Sequence, residues 1–256
     1  DGLPMAVWGS RIDGQSYISV GSDNFQGGAL ATEHLIASGR RRIAFLGDDQ
    51  LPEVAPRFAG YRHALQRHGL EFDTRLHARS HFLSEDAYRL TRAMLKKTDP
   101  PDGLFAASDV IAVGAIRALV EAGHRVPQDI SLVGFDDIPL AAYSQPPLTT
   151  VRQDLGLAAR LLVDRLLALI GGEAVESVEM PVKLVVRESR EAGIGESGIG
   201  NRESGIGNRK SVRDGVRCIA TCCCPRDRGR LFRTQRHRRN ASRLRHCCLG
   251  LADADA

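Results

Sequence analysis

The chain has 256 residues, is 43% hydrophobic and carries a formal net charge of +4, which allows one large domain or two small ones around a real core. The charge is unevenly placed: residues 1–190 hold 21 Lys+Arg against 24 Asp+Glu, whereas residues 191–256 hold 14 against 7. All six cysteines (Cys218, Cys222, Cys223, Cys224, Cys247, Cys248) also lie beyond residue 190, so no disulfide framework holds the body, which suits a reducing cytoplasm. No stretch of apolar residues is long enough to form a transmembrane helix. The opening "DGLPMAVWGSRIDG" lacks a signal-peptide pattern and an initiator Met, and reads as a fragment.

In chain order, "PMAVWG" (4–9) reads as a short buried strand, and "YISVGSDN" (17–24) as a strand ending at an acid. "FQGGALATEHLIASG" (25–39) is helical, with Leu30, His34 and Leu35 on one stripe and Gly39 as its stop. "RRIAFLGD" (41–48) has the all-apolar centre of a parallel strand covered on both faces. A helix follows over 55–69 with Phe58, Tyr61 and Leu65 inward, then another over 85–97 with Ser84 as expected N-cap. "DGLFAAS" (102–108) is a strand, 109–123 a helix, "ISLVGF" (130–135) a strand, 154–172 a long helix capped by Asp154, and 178–189 a final strand. Strands and helices alternate throughout, which argues for an α/β protein built on parallel sheets.

In such sheets ligands bind beyond the carboxyl ends of the strands. Polar residues collect there: Asp23, Asp48 and Asp49, Ser108 and Asp109, and Asp136 and Asp137. An Asp at a strand end also caps the following helix. For Asp109 both readings stand; at Asp136 no helix starts at once, which favours a ligand role.

The stretch "SLVGFDDIPLAAYSQPPLTTVRQD" followed by "ARLLVDRLLALI", together with "ALATEHLIASGRRRIAFLGD", "RFAGYRHAL" and "PPDGLFAASDVIAVGAIRAL", resembles the core of the LacI/GalR (lactose-repressor/galactose-repressor) transcription regulators. The likeness runs from residue 1 to about 190, in order. It implies two Rossmann-like, periplasmic-binding-protein-like subdomains: residues 1–39 and 154–180 in a partial N-subdomain, 40–153 and 181–190 in a C-subdomain. It implies crossovers near Gly39, near "TTVRQD" and near Pro181, with Pro146 and Pro147 stiffening a hinge strand beside the ligand edge. The family's helix-turn-helix has no match in these residues. A homodimer that senses a sugar-like effector in the cytoplasm, and meets operator DNA through that motif, is what the resemblance implies.

Carried over residue by residue, Asp136 would accept hydrogen bonds from effector hydroxyls, Arg57 would reach into the cleft with its five donors, and Ser108 would stand where many members have Asn. Phe82 would stack on a ring, Asp23 would face the ligand from the N-subdomain, and Gln153 would sit at the hinge. Asp137 would bond the hinge backbone. Arg57 opening a helix at the surface, and Phe82 in the core, are the plain alternatives. His34, His63, His68, His77, His81 and His124 are scattered without metal-site spacing, and no cofactor is expected. Nucleotide-binding and hydrolase motifs are absent. Adjacent Asp136 and Asp137 on an extended chain would point apart, which weakens an acid–base enzyme reading. A periplasmic sugar-binding protein of a transport system is the alternative function, and a cytosolic α/β enzyme a further one.

Residues 196–209, "ESGIGNRESGIGNR", are a seven-residue tandem repeat with one Ile per unit, and an Arg- and Cys-rich run without periodicity follows. Neither can build a core, and the low-complexity tail from 191 to 256 is expected to be disordered and dispensable. Limited proteolysis should trim the chain to near residue 190 with the far-UV spectrum of the body retained; a protected tail would count against this reading.

Overall fold

The structure, a computed structural model, describes residues 3–189; the tail expectation lies outside the described residues. Two sheets organise this region. The first joins β1 (Ala6–Trp8), β2 (Ile18–Ser22) and β8 (Val178–Met180), all parallel, in the order β1-β2-β8. The second holds β3 (Ile43–Leu46), β4 (His77–Ala78), β5 (Gly103–Ala106), β6 (Ser131–Asp136), β7 (Thr149–Arg152) and β9 (Lys183–Val185), in the order β4-β3-β5-β6-β7-β9. Its first five strands are parallel and in a doubly wound order that turns back between β3 and β5. β9 closes the edge antiparallel to β7, so the sheet is mixed there and not wholly parallel.

The helices are α1 (Asn24–Ala37), α2 (Val54–Arg67), α3 (Ser84–Leu95), α4 (Asp109–Glu121), the short α5 (Pro139–Tyr143) and α6 (Leu155–Ile170). The apolar runs of β3 and β5 are wholly buried, as strands covered on both faces must be. The large core contains Phe45, Tyr61, Phe105, Ile111, Leu132 and Phe135, and the Tyr61 hydroxyl donates to the Ile43 carbonyl at 2.8 Å, which satisfies its one buried polar atom. α1 ends as its glycine stop requires: Gly39 has φ +86°, and the Arg40 amide turns back to the Leu35 carbonyl.

Several details differ from the sequence reading. The extended stretch expected over 178–189 is two strands, β8 and β9, in different sheets, with Pro181 and Val182 between them. β4 and α5 are too short to leave a periodic signature. The N-cap of α3 is Leu83, with Ser84 already inside the helix. The expected boundary at Gly39 is also displaced. α1 buries Ala31, Leu35 and Ile36 in the core of the six-stranded sheet, so the helix packs with that sheet and the chain leaves the three-stranded one at Asp23. Leu157, Leu161 and Leu162 of α6 pack on the separate small core around Val20, Ala158 and Met180.

α1 and α2 approach through reciprocal glycines. A Cβ on Gly28 would lie 2.0 Å from the Arg57 carbonyl oxygen, and one on Gly60 would lie 2.1 Å from the Phe25 carbonyl oxygen. Both obstacles are backbone, so neither can swing aside. Gly60→Ala should therefore lower stability by about 1–3 kcal/mol, read as a lower urea midpoint at unchanged slope; an unchanged midpoint would show that the helices can separate without cost.

Candidate functional site

The strand-end groups meet where the chain passes between the sheets. Asp136 ends β6, and the turn after it holds two non-glycine residues at positive φ, Asp136 at 109° and Asp137 at 57°. Such conformations cost roughly 1–3 kcal/mol each and persist only where the surroundings fix them. The turn sends the two carboxylates to different partners. Asp136 accepts a hydrogen bond from Gln153 Nε2 at 2.6 Å and faces Arg57 Nη1 at 3.6 Å. Asp137, its side chain nearly buried, is gripped by Arg152 Nε and by Arg187 Nη2 at 2.7 Å.

Arg57 is 3% exposed, so the surface reading fails. Its position on the first turn of α2, set by the glycine crossing with α1, points it inward. The guanidinium lies 3.7 Å from the centre of the Phe135 ring. Nε donates to Asn24 Oδ1 at 2.7 Å, and Nη1 donates to the Ala107 carbonyl at 2.6 Å. Burial pulls its pKa down to about 10, opposed by Asp136, Glu53 and Asp109, so it remains a cation at neutral pH. Asp136 is pushed up by burial, against the pull of Arg57 and Gln153.

Asp23 and Ser108 both serve as N-caps. Asp23 Oδ1 accepts from the Gln26 amide at 2.8 Å, and Ser108 Oγ, fully buried, accepts from the Ile111 amide at 3.3 Å. Phe82 is in the loop before α3, 42% exposed, and makes no ring contact among the described residues, so it is not a core residue. Asp48 and Asp49 are held by surface partners: Arg79 bonds Asp49 at 2.7 Å, and His81 lies 3.6 Å from Asp48.

Two expectations are corrected. Pro146 and Pro147 precede β7, and β7 runs parallel to β6 with Val133 beside Thr149 and Asp136 beside Arg152. The prolines are therefore at the opposite edge of the sheet from Asp136. The Pro147 carbonyl accepts from the Glu188 and Ser189 amides, which ties the segment after β9 to the sheet and leaves the pair away from the crossing. Asp137 bonds the side chains of Arg152, the last residue of β7, and Arg187, just after β9, not the backbone.

Sequence reasoning missed Asn24, which is 3% exposed and donates from Nδ2 to Ser10 Oγ at 2.9 Å while accepting from Arg57. It also missed Arg152 and Arg187, and left Asp109 undecided. Asp109 is wholly buried and does not cap its helix. Its Oδ1 accepts from Thr150 Oγ1 at 2.6 Å and its Oδ2 from the Ile138 amide at 2.9 Å. A cavity of about 720 Å³ lies elsewhere, lined by Met5, Gln15, Tyr17 and Glu176 among others. It borders the amino ends of β1, β2 and β8, the wrong edge for ligand binding in a parallel sheet, and none of the residues above lines it.

Two α/β sheets joined by chain crossings, with a charged cluster at the junction, define a periplasmic-binding-protein-like domain, and the family profile described as "Periplasmic binding protein-like domain" matches residues 32–190. The chain is 38% identical over 195 residues to the HTH-type transcriptional regulator CelR of Thermobifida fusca, covering 73% of this chain and 55% of that one. It is 36% identical over 198 residues to the ribose operon repressor of Halalkalibacterium halodurans, covering 75% and 57%. The chain belongs to the LacI/GalR family of transcriptional regulators. It spans a little over half the length of these curated relatives. Among solved structures it resembles a CelR–cellobiose complex (TM-score 0.68, 35% identity, 72% of this chain and 58% of that one). It also resembles a LacI family regulator from Enterococcus faecium with bound ribose (TM-score 0.68, 29% identity, 73% and 70%).

Asp137 supplies a pH test. Burial pushes its pKa up, but the bonds from Arg187 and Arg152 outweigh this and hold it below the usual range. A carboxylate depressed in the folded state stabilises above its unfolded pKa of about 3.9 and loses that contribution as pH falls through the lower folded value. Asp137→Asn should therefore be less stable than the parent at pH 7, with the gap closing under acid in paired denaturation curves. A gap that stays constant down to pH 3 would rule out the ion pairs as its source.

Proposed function

We propose that this chain is the effector-binding core of a regulator that senses a small sugar or sugar derivative in the cleft between the two sheets. The observation that carries it is the Arg57–Asp136–Gln153 cluster at the carboxyl edge of the six-stranded sheet, beside the crossings. Arg57 spends two donors on Asn24 and Ala107 and has five in all, and Asp136 keeps acceptor capacity beside it. A fixed cation next to a carboxylate, over an aromatic ring, suits a ligand made of vicinal hydroxyls. CelR bound to cellobiose and the Enterococcus faecium regulator bound to ribose support that class of ligand. In this reading residues 1–23 and 154–180 form one lobe and the rest of the described chain the other. Asp23 and Phe82 face the ligand from the two sides, and Ser108 lines the floor.

The working protein is a cytoplasmic homodimer and not an enzyme. It meets operator DNA through a helix-turn-helix outside these 256 residues. A transport-type sugar-binding protein shares the architecture, but the named relatives are transcriptional regulators.

A hydrogen bond from a sugar hydroxyl to a carboxylate contributes about 1.5–3 kcal/mol. Asp136→Asn keeps the shape and removes the charge, so sugar affinity should fall roughly ten- to hundredfold with the fold intact. Calorimetry against cellobiose and ribose is the measurement. Unchanged affinity in the variant for whichever sugar binds, or binding of neither, overturns the reading.

A further inference from the structure

Asp109 is the one carboxylate of the site region whose side chain is entirely out of solvent among the described residues, and both of its oxygens accept hydrogen bonds. Its geometry is specific. Oδ2 receives the amide of Ile138, the first residue after the strained Asp136–Asp137 turn. Oδ1 receives the hydroxyl of Thr150, in the middle of β7, two residues before Arg152 and three before Gln153. The carboxylate thus ties the turn that presents Asp136 to the strand that presents Asp136's partner. The neighbouring backbone makes room for it: a Cβ on Gly134 would lie 2.3 Å from Asp109 Oδ1, closer than atoms can approach. β6 has a glycine there because a carboxylate passes over it.

We propose that Asp109 is a positioning residue of the effector site, which fixes the Asp136–Asp137 turn and so sets Asp136 against Arg57 and Gln153. The proposal rests on the effector reading of Asp136 for its function, but the mechanical link does not. The charged groups around Asp109 are Asp136 and Asp137 from the turn and Arg57 from α2, while Arg152 and Arg187 neutralise Asp137. Burial is the main influence and pushes Asp109 up to about 7; the Thr150 and Ile138 bonds pull it down, and the two neighbouring carboxylates push it further up. Deprotonation therefore falls near neutral pH and strengthens the bond to the Ile138 amide, because the acceptor becomes charged.

The test uses the full chain and needs no ligand for its first arm. In ¹⁵N spectra recorded from pH 5 to 9, the Ile138 amide and the Gln153 side-chain amide should titrate together with a midpoint of about 7. Asp109→Asn cannot ionise, but its carbonyl oxygen can accept from the Ile138 amide while its NH2 donates to the Thr150 hydroxyl; it should lose that step in both signals. A step that persists in the variant, or one seen at Ile138 but not at Gln153, overturns the proposal. The second arm measures, by calorimetry, whichever of cellobiose and ribose the parent binds. Asp109→Ala should bind about tenfold more weakly, and Asp109→Asn should recover most of the loss. Equal affinity in the parent and the alanine variant also overturns it. Should the alanine variant not fold, the spectra of the parent and the asparagine variant decide. Coupled titration with sugar binding indifferent to Asp136→Asn would instead remove the effector reading and leave the positioning role standing.

Discussion

The guanidinium of Arg57 keeps its charge almost wholly out of water, and a buried cation is tolerated only where protein groups replace its hydration. Much of the local architecture follows from meeting that condition. α1 has to begin at Asn24, because the Asn24 side chain is the acceptor for Nε. β5 ends at Ala106, and the next carbonyl, of Ala107, receives Nη1. Phe135 puts the face of its ring against the cation, and Gly27 of α1 has no side chain because that ring fills the space. The glycine crossing of α1 and α2 then brings the Arg57 backbone into contact with α1 itself.

The same cluster shows how the crossings communicate. The Asp23 amide donates to the Met180 carbonyl at 2.8 Å, so the first and third crossings are stitched together. Gln153, on the second, holds Asp136. Asn24 extends the chain of contacts from Arg57 to Ser10, just past the end of β1 in the small sheet. The groups expected to meet a ligand are therefore bonded to the segments on which the two sheets would move relative to each other. The coupling is physical contact and not proximity in sequence.

The element order was legible because parallel strands and amphipathic helices have opposite periodicities, and because glycine stops such as Gly39 mark where each helix ends. Arg57, Asp136 and Gln153 were expected from motif resemblance, and the structure brings these three side chains together. What could not be read was partnership. Asp23 and Ser108 were expected as ligand groups, and the structure shows that their side chains also cap helices; the sequence pattern of a cap and of a strand-end ligand is the same. The Pro146–Pro147 pair looked like part of the hinge because it stands near Gln153 in sequence, but the length of β7 separates the two edges of the sheet. The allegiance of α1 was hidden because a helix carries its apolar stripe without naming the sheet it faces. Arg152 and Arg187 come from distant parts of the chain and converge only when β9 pairs with β7.

The passage from β8 to β9 has a consequence for how such chains tolerate changes in length. Met180 is buried in the small core and Val182 in the large one, and Leu184 packs against the large core as well. The alternation of inward and outward side chains runs unbroken through Pro181, across the change of sheet. A connector of this kind is not a free loop. Adding or removing one residue would turn every side chain of β9 to the other face, bringing Lys183 inward and Leu184 out. Changes by an even number would keep the parity and stretch only the span. Segments that bridge lobes are often treated as the places where insertions accumulate, and here the pleat makes the bridge a place that resists changes of one residue.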